Sequence, residues 1–287
     1  MRPMNRAVTQ TAIGLLAALA SVTAQADDVA TATPWVEAQA ARVRLIGGAD
    51  AARPGEAFLA GVEISMADGW KTYWRNPGEA GVPPNFDWSG STNTASIKVS
   101  YPAPIRLSDP AADMIGYKNS VLFPVKVTPA VASEAVDLRL ELEFAVCREI
   151  CIPAQAALQL TLPAALSKGP PSARIAAALD QVPRPKAARR PQDPQVLGLK
   201  ATLAGPAPSL LVEAKFPNGD AGADLFIEAP AGIFVPMAKK LPPGSDDHVR
   251  FLVDLARGGA AEDLRGKELT LTLVSNAGAS EVAWTLR

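Results

Sequence analysis

The chain has 287 residues, with 28 basic and 29 acidic side chains and two cysteines. A formal charge of −1 leaves no surplus of basic groups for a polyanion, and the one basic cluster, Arg184 to Pro191, has no aromatic residues between its charges on which bases would stack. Nucleic-acid binding is therefore excluded. The length exceeds the usual single domain, and two cysteines are too few for the fold to depend on disulfides.

At the N-terminus, Arg2 and Arg6 precede the apolar run from Thr11 to Val22, and Ala24-Gln25-Ala26 is followed by Asp27 and Asp28. A basic start, a short apolar stretch and an A-x-A site predict a secretory leader, residues 1–26, cut after about Ala26. The uncharged run from Ala7 to Val22 falls short of the roughly 20 apolar residues of a membrane span. Cleavage removes two basic groups and no acidic one, so the mature chain of 261 residues carries −3 in place of −1. No later segment reads as a transmembrane helix. The expectation is a soluble exported protein, in a compartment where disulfides persist.

Short alternating runs separated by Gly, Pro, Asn and Asp predict strands at 41–47, 57–66, 95–101, 121–127, 136–146 and 155–162. A stretch with seven prolines from Pro163 to Pro194 follows. It reads as a connector over 165–194, solvated around Arg184 to Pro191. Its one short helix runs from Ser172 to Val182, with Ser172 as its cap and Ile175, Ala178, Leu179 and Val182 at helical spacing. Further strands are predicted at 196–203, 209–216, 223–229, 248–256, 268–274 and 281–287. The fold class is all-β: two β-sandwich domains, 27–164 and 195–287, joined by the connector.

The two cysteines, Cys147 and Cys151, fall between two of these strands. Before them Val136, Leu138, Leu140, Leu142, Phe144 and Val146 alternate with polar residues. After them Ile152, Ala154, Ala156, Leu158, Leu160 and Leu162 keep the same even phase. A three-residue hairpin loop, Arg148-Glu149-Ile150, would set Cys147 opposite Cys151 and leave every apolar side chain on one face. Both cysteines are odd, so both are expected on the outward face, at a separation that accepts a disulfide.

Three readings of the pair stay open on these residues. A structural staple closes so short a loop that it gives only about 2 kcal/mol. A redox pair fits the outward phase, with Arg148 placed to help hold a thiolate. A Cu(I) site needs few soft ligands, so C-x3-C suits it; zinc would lack ligands, since the one histidine, His248, lies in the other half. Copper proteins of the Sco kind, however, have C-x3-C-P between a strand and a helix. Here Pro153 is one residue further on, and the segment that follows has period two.

A second stretch, Met66 to Trp88, holds five of the sixteen aromatic residues: Trp70, Tyr73, Trp74, Phe86 and Trp88. Read locally it is an aromatic packing corner with turn chemistry at Asn76-Pro77-Gly78. Together with "YPAPIRL" (101–107), "IGYKNSVLFPV" (115–125) and "CREICIP" (147–153), it resembles the N-terminal periplasmic domain of the DsbD and ScsB thiol-disulfide reductases, over about residues 35 to 165. The half after the connector is similar, more loosely, to the second part of the longer ScsB ectodomain.

That resemblance implies immunoglobulin-like sandwiches and a periplasmic location. It implies a thiol-disulfide oxidoreductase whose reversible Cys147–Cys151 disulfide passes reducing equivalents to thioredoxin-like or disulfide isomerase proteins, without a cofactor or a bound metal. Such relays serve processes such as cytochrome c biogenesis and copper tolerance. It also implies a cap loop over the pair, at about Asp113 to Lys118, with Met114, Ile115 and Tyr117 as covers. The family's membrane electron-transfer and thioredoxin-like domains are not in this sequence, which leaves two expectations: the chain works with those parts as separate proteins, a membrane electron-transfer protein among them, or it has left the relay altogether.

Overall fold

The computed structural model describes residues 32–47, 56–108, 112–162, 172–242, 248–258 and 261–287. The expected leader and its cleavage site lie outside these residues. Among them, no helix is long and apolar enough to cross a membrane.

The described residues of the first half build eleven strands in chain order. They are β1 (Val36–Ala38), β2 (Ala41–Gly47), β3 (Phe58–Met66), β4 (Lys71–Gly78), β5 (Asn85–Asp87), β6 (Thr94–Val99), β7 (Ile105–Leu107), β8 (Met114–Lys118), β9 (Ser120–Pro129), β10 (Val136–Cys147) and β11 (Cys151–Leu162). One sheet runs β1-β2-β3-β9-β6. A second runs β11-β10-β4-β8-β7, with β5 also paired to β10. The even side chains of β10, β11 and β3 meet the odd ones of β9 in a shared core, since alternate residues of a strand share a face. Phe123 sits among Phe86, Tyr101 and Tyr117, all edge-on at 5.3 to 5.5 Å. Most of the aromatic stretch is thus core.

After these come α1 (Ala173–Asp180) and strands β12 (Arg184–Pro185), β13 (Gln195–Thr202), β14 (Ser209–Lys215), β15 (Asp224–Glu228), β16 (Lys239–Lys240), β17 (His248–Asp254), β18 (Glu268–Ser275) and β19 (Gly278–Thr285). They form two sheets, β12-β19-β18-β15 and β13-β14-β17-β16, around a second core that includes Leu210, Val212, Phe251, Leu269 and Leu271. Pairing is antiparallel except between β12 and β19. The chain is therefore mostly β, as expected, and every predicted strand has its counterpart.

The connector is fastened to both halves. Ile175 of α1 is fully buried, and the helix lies over Gly61, where an added Cβ would be 3.5 Å from Ile175 and 2.8 Å from Leu122. Ser172 precedes the helix as expected but makes no side-chain cap bond. The stretch from Arg184 to Pro191 is mostly exposed, as expected, but its first two residues pair with β19, and the connector is tied down just beyond it. Its buried Asp193 accepts bonds from Arg184 and from the Arg190 amide, and Ser280 donates to the Pro194 carbonyl. The reason is that a buried carboxylate and a strand edge supply partners for the arginines and the backbone, which composition alone could not show.

The sheet β12-β19-β18-β15 buries both faces. Leu225, Leu271 and Leu273 face the second core, while Phe226, Val274 and Ala279 join the first.

Candidate redox site at the hairpin mouth

The β10–β11 register is the one expected: Cys147 pairs with Cys151, Val146 with Ile152 and Phe144 with Ala154. The loop is closed by the Arg148 amide donating to the Ile150 carbonyl at 3.2 Å. The two cysteines form a disulfide with Cα atoms 4.1 Å apart.

The exposure of the pair departs from expectation. Cys151 is exposed, but Cys147 is buried, at 1% relative exposure. The cause is sheet order. Cys151 starts β11, the edge strand, whereas Cys147 lies between β11 and β4. Its outward face is covered by Tyr73, Leu107, Met114 and Ala145, a small cluster of its own.

Tyr73 is the centre of that cover. Its phenolic oxygen lies 2.8 Å from the Cys147 Sγ and 2.9 Å from the Cys151 Sγ, and donates to the Met114 Sδ at 3.5 Å. Disulfide sulfurs carry no proton, so toward them too only the phenol can donate, and its single proton serves one of the three sulfurs at a time. The ring is held from behind by Gly81. This glycine has φ of +121°, and a Cβ there would fall 2.2 Å from the Tyr73 Cε1, so only glycine allows the contact.

Positive charge flanks the pair. Lys71 of β4 pairs with Cys147, and Lys118 of β8 pairs with Lys71, so the three share one face beside the sulfurs. Nearby cations favour a thiolate. Arg148, expected to assist, instead lies over the Trp70 ring, 6.0 Å from its centroid, and 4.0 Å from Glu149.

The segment expected to be a cap loop is a strand. Residues 109–111 lie outside the described set, and from Met114 the chain runs as β8, paired with β4 and β7. Alternation divides the three expected covers. Met114 faces the Cys147 cluster. Ile115 and Tyr117 point the other way, into the main core, where Tyr117 stacks edge-on against Phe123 and donates to the Pro102 carbonyl at 2.9 Å. Burial pushes the Tyr117 hydroxyl well above the ordinary tyrosine pKa, as befits a core residue.

Sequence reasoning missed Tyr73 and Leu107 as covers. The one available signal was their place inside two of the stretches that carried the family resemblance. His248 sits in the fourth sheet beside Glu213, 3.3 Å away. Among the described residues no group of three or more His, Cys, Asp or Glu side chains gathers.

Comparison with known proteins bears on this geometry. Residues 42–163 match the family described as thiol:disulfide interchange protein DsbD, N-terminal, a span that contains both cysteines, Tyr73, Leu107 and Met114. The crystal structure of the N-terminal periplasmic domain of ScsB from Proteus mirabilis matches with a TM-score of 0.68 at 23% identity, over 89% of this chain and 98% of that one. At that identity the likeness establishes a common fold, and it extends beyond residue 163. No curated protein matches the chain in sequence.

Proposed function

Residues 42–163 are a thiol-disulfide interchange domain of the DsbD N-terminal family, and from that premise we propose that the chain is a periplasmic relay. It passes two electrons through Cys147 and Cys151 to exported thioredoxin-like or disulfide isomerase proteins and is recharged by a separate membrane electron-transfer protein. The finer fold reading belongs here too: two immunoglobulin-like sandwiches, 27–164 and 195–287. Two pairs of sheets and two main cores support it.

The observation that carries the reading is one disulfide with one exposed and one buried sulfur. In the reduced protein the Cys151 thiolate attacks a partner disulfide, forms the mixed disulfide and releases the partner's second sulfur as a thiolate. Cys147 then attacks the Cys151 sulfur, the partner leaves as a dithiol, and the intramolecular bond re-forms. Two electrons and two protons pass to the partner. Cys147 is shielded from bulky partners and reaches only its neighbour, which suits it to the second step.

A Cys147→Ala variant in its own periplasm should accumulate reductant-sensitive adducts through Cys151, and Cys151→Ala should not. Absence of adducts from both variants would refute the relay. A second reading has one observation in its favour. Met114, which shares the Cys147 cluster, would add a thioether to two thiolates, a soft donor set that suits Cu(I). Metal analysis of the reduced protein separates the two.

A further inference from the structure

Three consecutive residues of β4 after Tyr73 reach the second half of the chain. The Trp74 ring packs 6.0 Å from Phe226. The Arg75 guanidinium lies over the Trp74 ring, forks onto Glu228 at 2.7 and 3.0 Å, and also pairs with Glu281. Asn76 donates to the Ile227 carbonyl at 3.2 Å. The other wall of the Cys147 cover is held in the same way. Arg106, next to Leu107, forks onto Asp224 at 2.7 and 2.9 Å, donates to the Ala238 carbonyl, and pairs with Asp113, next to Met114.

The side-chain contacts converge on one face of one sheet, on Asp224, Phe226 and Glu228 of β15 and on Glu281 of β19. Asp224, Phe226 and Glu228 alternate along β15, so a single edge of the second half meets β4 and β7 together. Burial alone would lower the Arg75 pKa, but the hydrogen bonds and charges of Glu228 and Glu281 outweigh it and raise it, so the charge is fixed. Half-buried ion pairs add little net stability against packed apolar groups, because desolvation offsets their attraction. What they supply is a defined geometry.

We infer that β15 is a positioning brace for the redox site: through Arg75 and Arg106 it sets β4 and β7 so that Tyr73, Leu107 and Met114 close over Cys147. This rests on the reading of Cys147–Cys151 as the exchanging pair, and it gives residues 195–287 a role in that exchange. Arg75, Glu228 and Glu281 act through Tyr73 and touch neither sulfur.

The test is the equilibrium of the full chain with a glutathione redox buffer. A phenol hydrogen bond favours a thiolate more than a disulfide sulfur. Releasing Tyr73 with the Glu228→Gln/Glu281→Gln pair should therefore shift the equilibrium about fivefold toward the disulfide. Arg75→Lys, which keeps the charge and loses the fork, should fall between. Removing two negative charges would by itself favour the thiolate, so the expected sign isolates geometry from electrostatics. Adding Tyr73→Phe to the double variant should produce no further shift.

Leu271→Ala, in the second core away from the interface, should lower the unfolding midpoint in both redox states equally and leave the equilibrium in place. The brace is overturned if the double variant keeps the wild-type equilibrium, if Leu271→Ala shifts it as much, or if Tyr73→Phe remains fully additive. Adduct trapping by Cys147→Ala reports on the relay independently, so failure of one reading is distinguishable from failure of the other.

Discussion

Replacing Tyr73 with Phe removes one oxygen and keeps the ring that fills the space between Gly81 and the sulfurs. That oxygen is 2.8 and 2.9 Å from the two Sγ atoms. Against neutral disulfide sulfur such a bond contributes about 0.5–1.5 kcal/mol, and against a thiolate about 1.5–3 kcal/mol. The difference, about 1 kcal/mol, stabilises the reduced form. It equals about fivefold in the exchange constant, or about 20 mV for a two-electron couple. Tyr73→Phe should therefore lower the reduction potential by that amount. Equilibration with glutathione at neutral pH, read by alkylation and mass, measures it, and the unfolding midpoint of the oxidised protein should move much less. An unchanged potential, or a rise, would refute the role assigned to the hydroxyl.

The two faces of β8 predict opposite outcomes for neighbouring residues. Met114→Ala should speed alkylation of Cys147 in the reduced protein with a modest loss of stability, whereas Ile115→Ala, at 1% exposure in the main core, should cost about 2–5 kcal/mol in urea unfolding and leave alkylation near wild type; equal behaviour of the two would count against the division of the cap. Asp137 accepts bonds from Arg139, Gln159 and Thr161, and these hold its pKa below the ordinary carboxylate range. A depressed folded pKa gives stability that is present above the unfolded value, near pH 4, and lost as pH falls through the folded one. Asp137→Asn should thus cost about 1 kcal/mol or less at neutral pH, with the gap to wild type closing in acid. A gap that persists there would contradict it.

The hairpin was legible in the sequence because each of its strands buries one face, and a strict period of two leaves one register open. The strands that matter most to the site were not legible for the opposite reason. In β8 the residues Met114, Ile115, Gly116 and Tyr117 are all buried, and in β4 Tyr73 and Trp74 are both fully buried on opposite faces. A strand between two apolar surfaces shows no alternation, so nothing in the sequence contradicts a cap loop at about Asp113 to Lys118, and Met66 to Trp88 reads only as an aromatic packing corner with turn chemistry at Asn76 to Gly78. The same blindness covers the junction of the halves. Asp224, Phe226 and Glu228 look like an ordinary outward strand face until Arg75 and Trp74 are placed against them.

Which of the two sulfurs is exposed was hidden at a different level. Local phase treats Cys147 and Cys151 as equivalent, since both are odd and directly opposed. Sheet order removes the equivalence, because among the described residues no strand pairs with the outer edge of β11, whereas β10 has β4 on its inner one. A site that exchanges electrons with proteins yet resists small oxidants needs both access and cover, and the edge of a sheet provides each to a different sulfur. Pro153 fits the same logic: a residue without an amide proton is tolerated in a strand whose outer edge is unpaired. The asymmetry of the pair is thus a property of topology, set by where the hairpin joins the sheet, and Tyr73 acts on both sulfurs only because β4 joins beside the buried one.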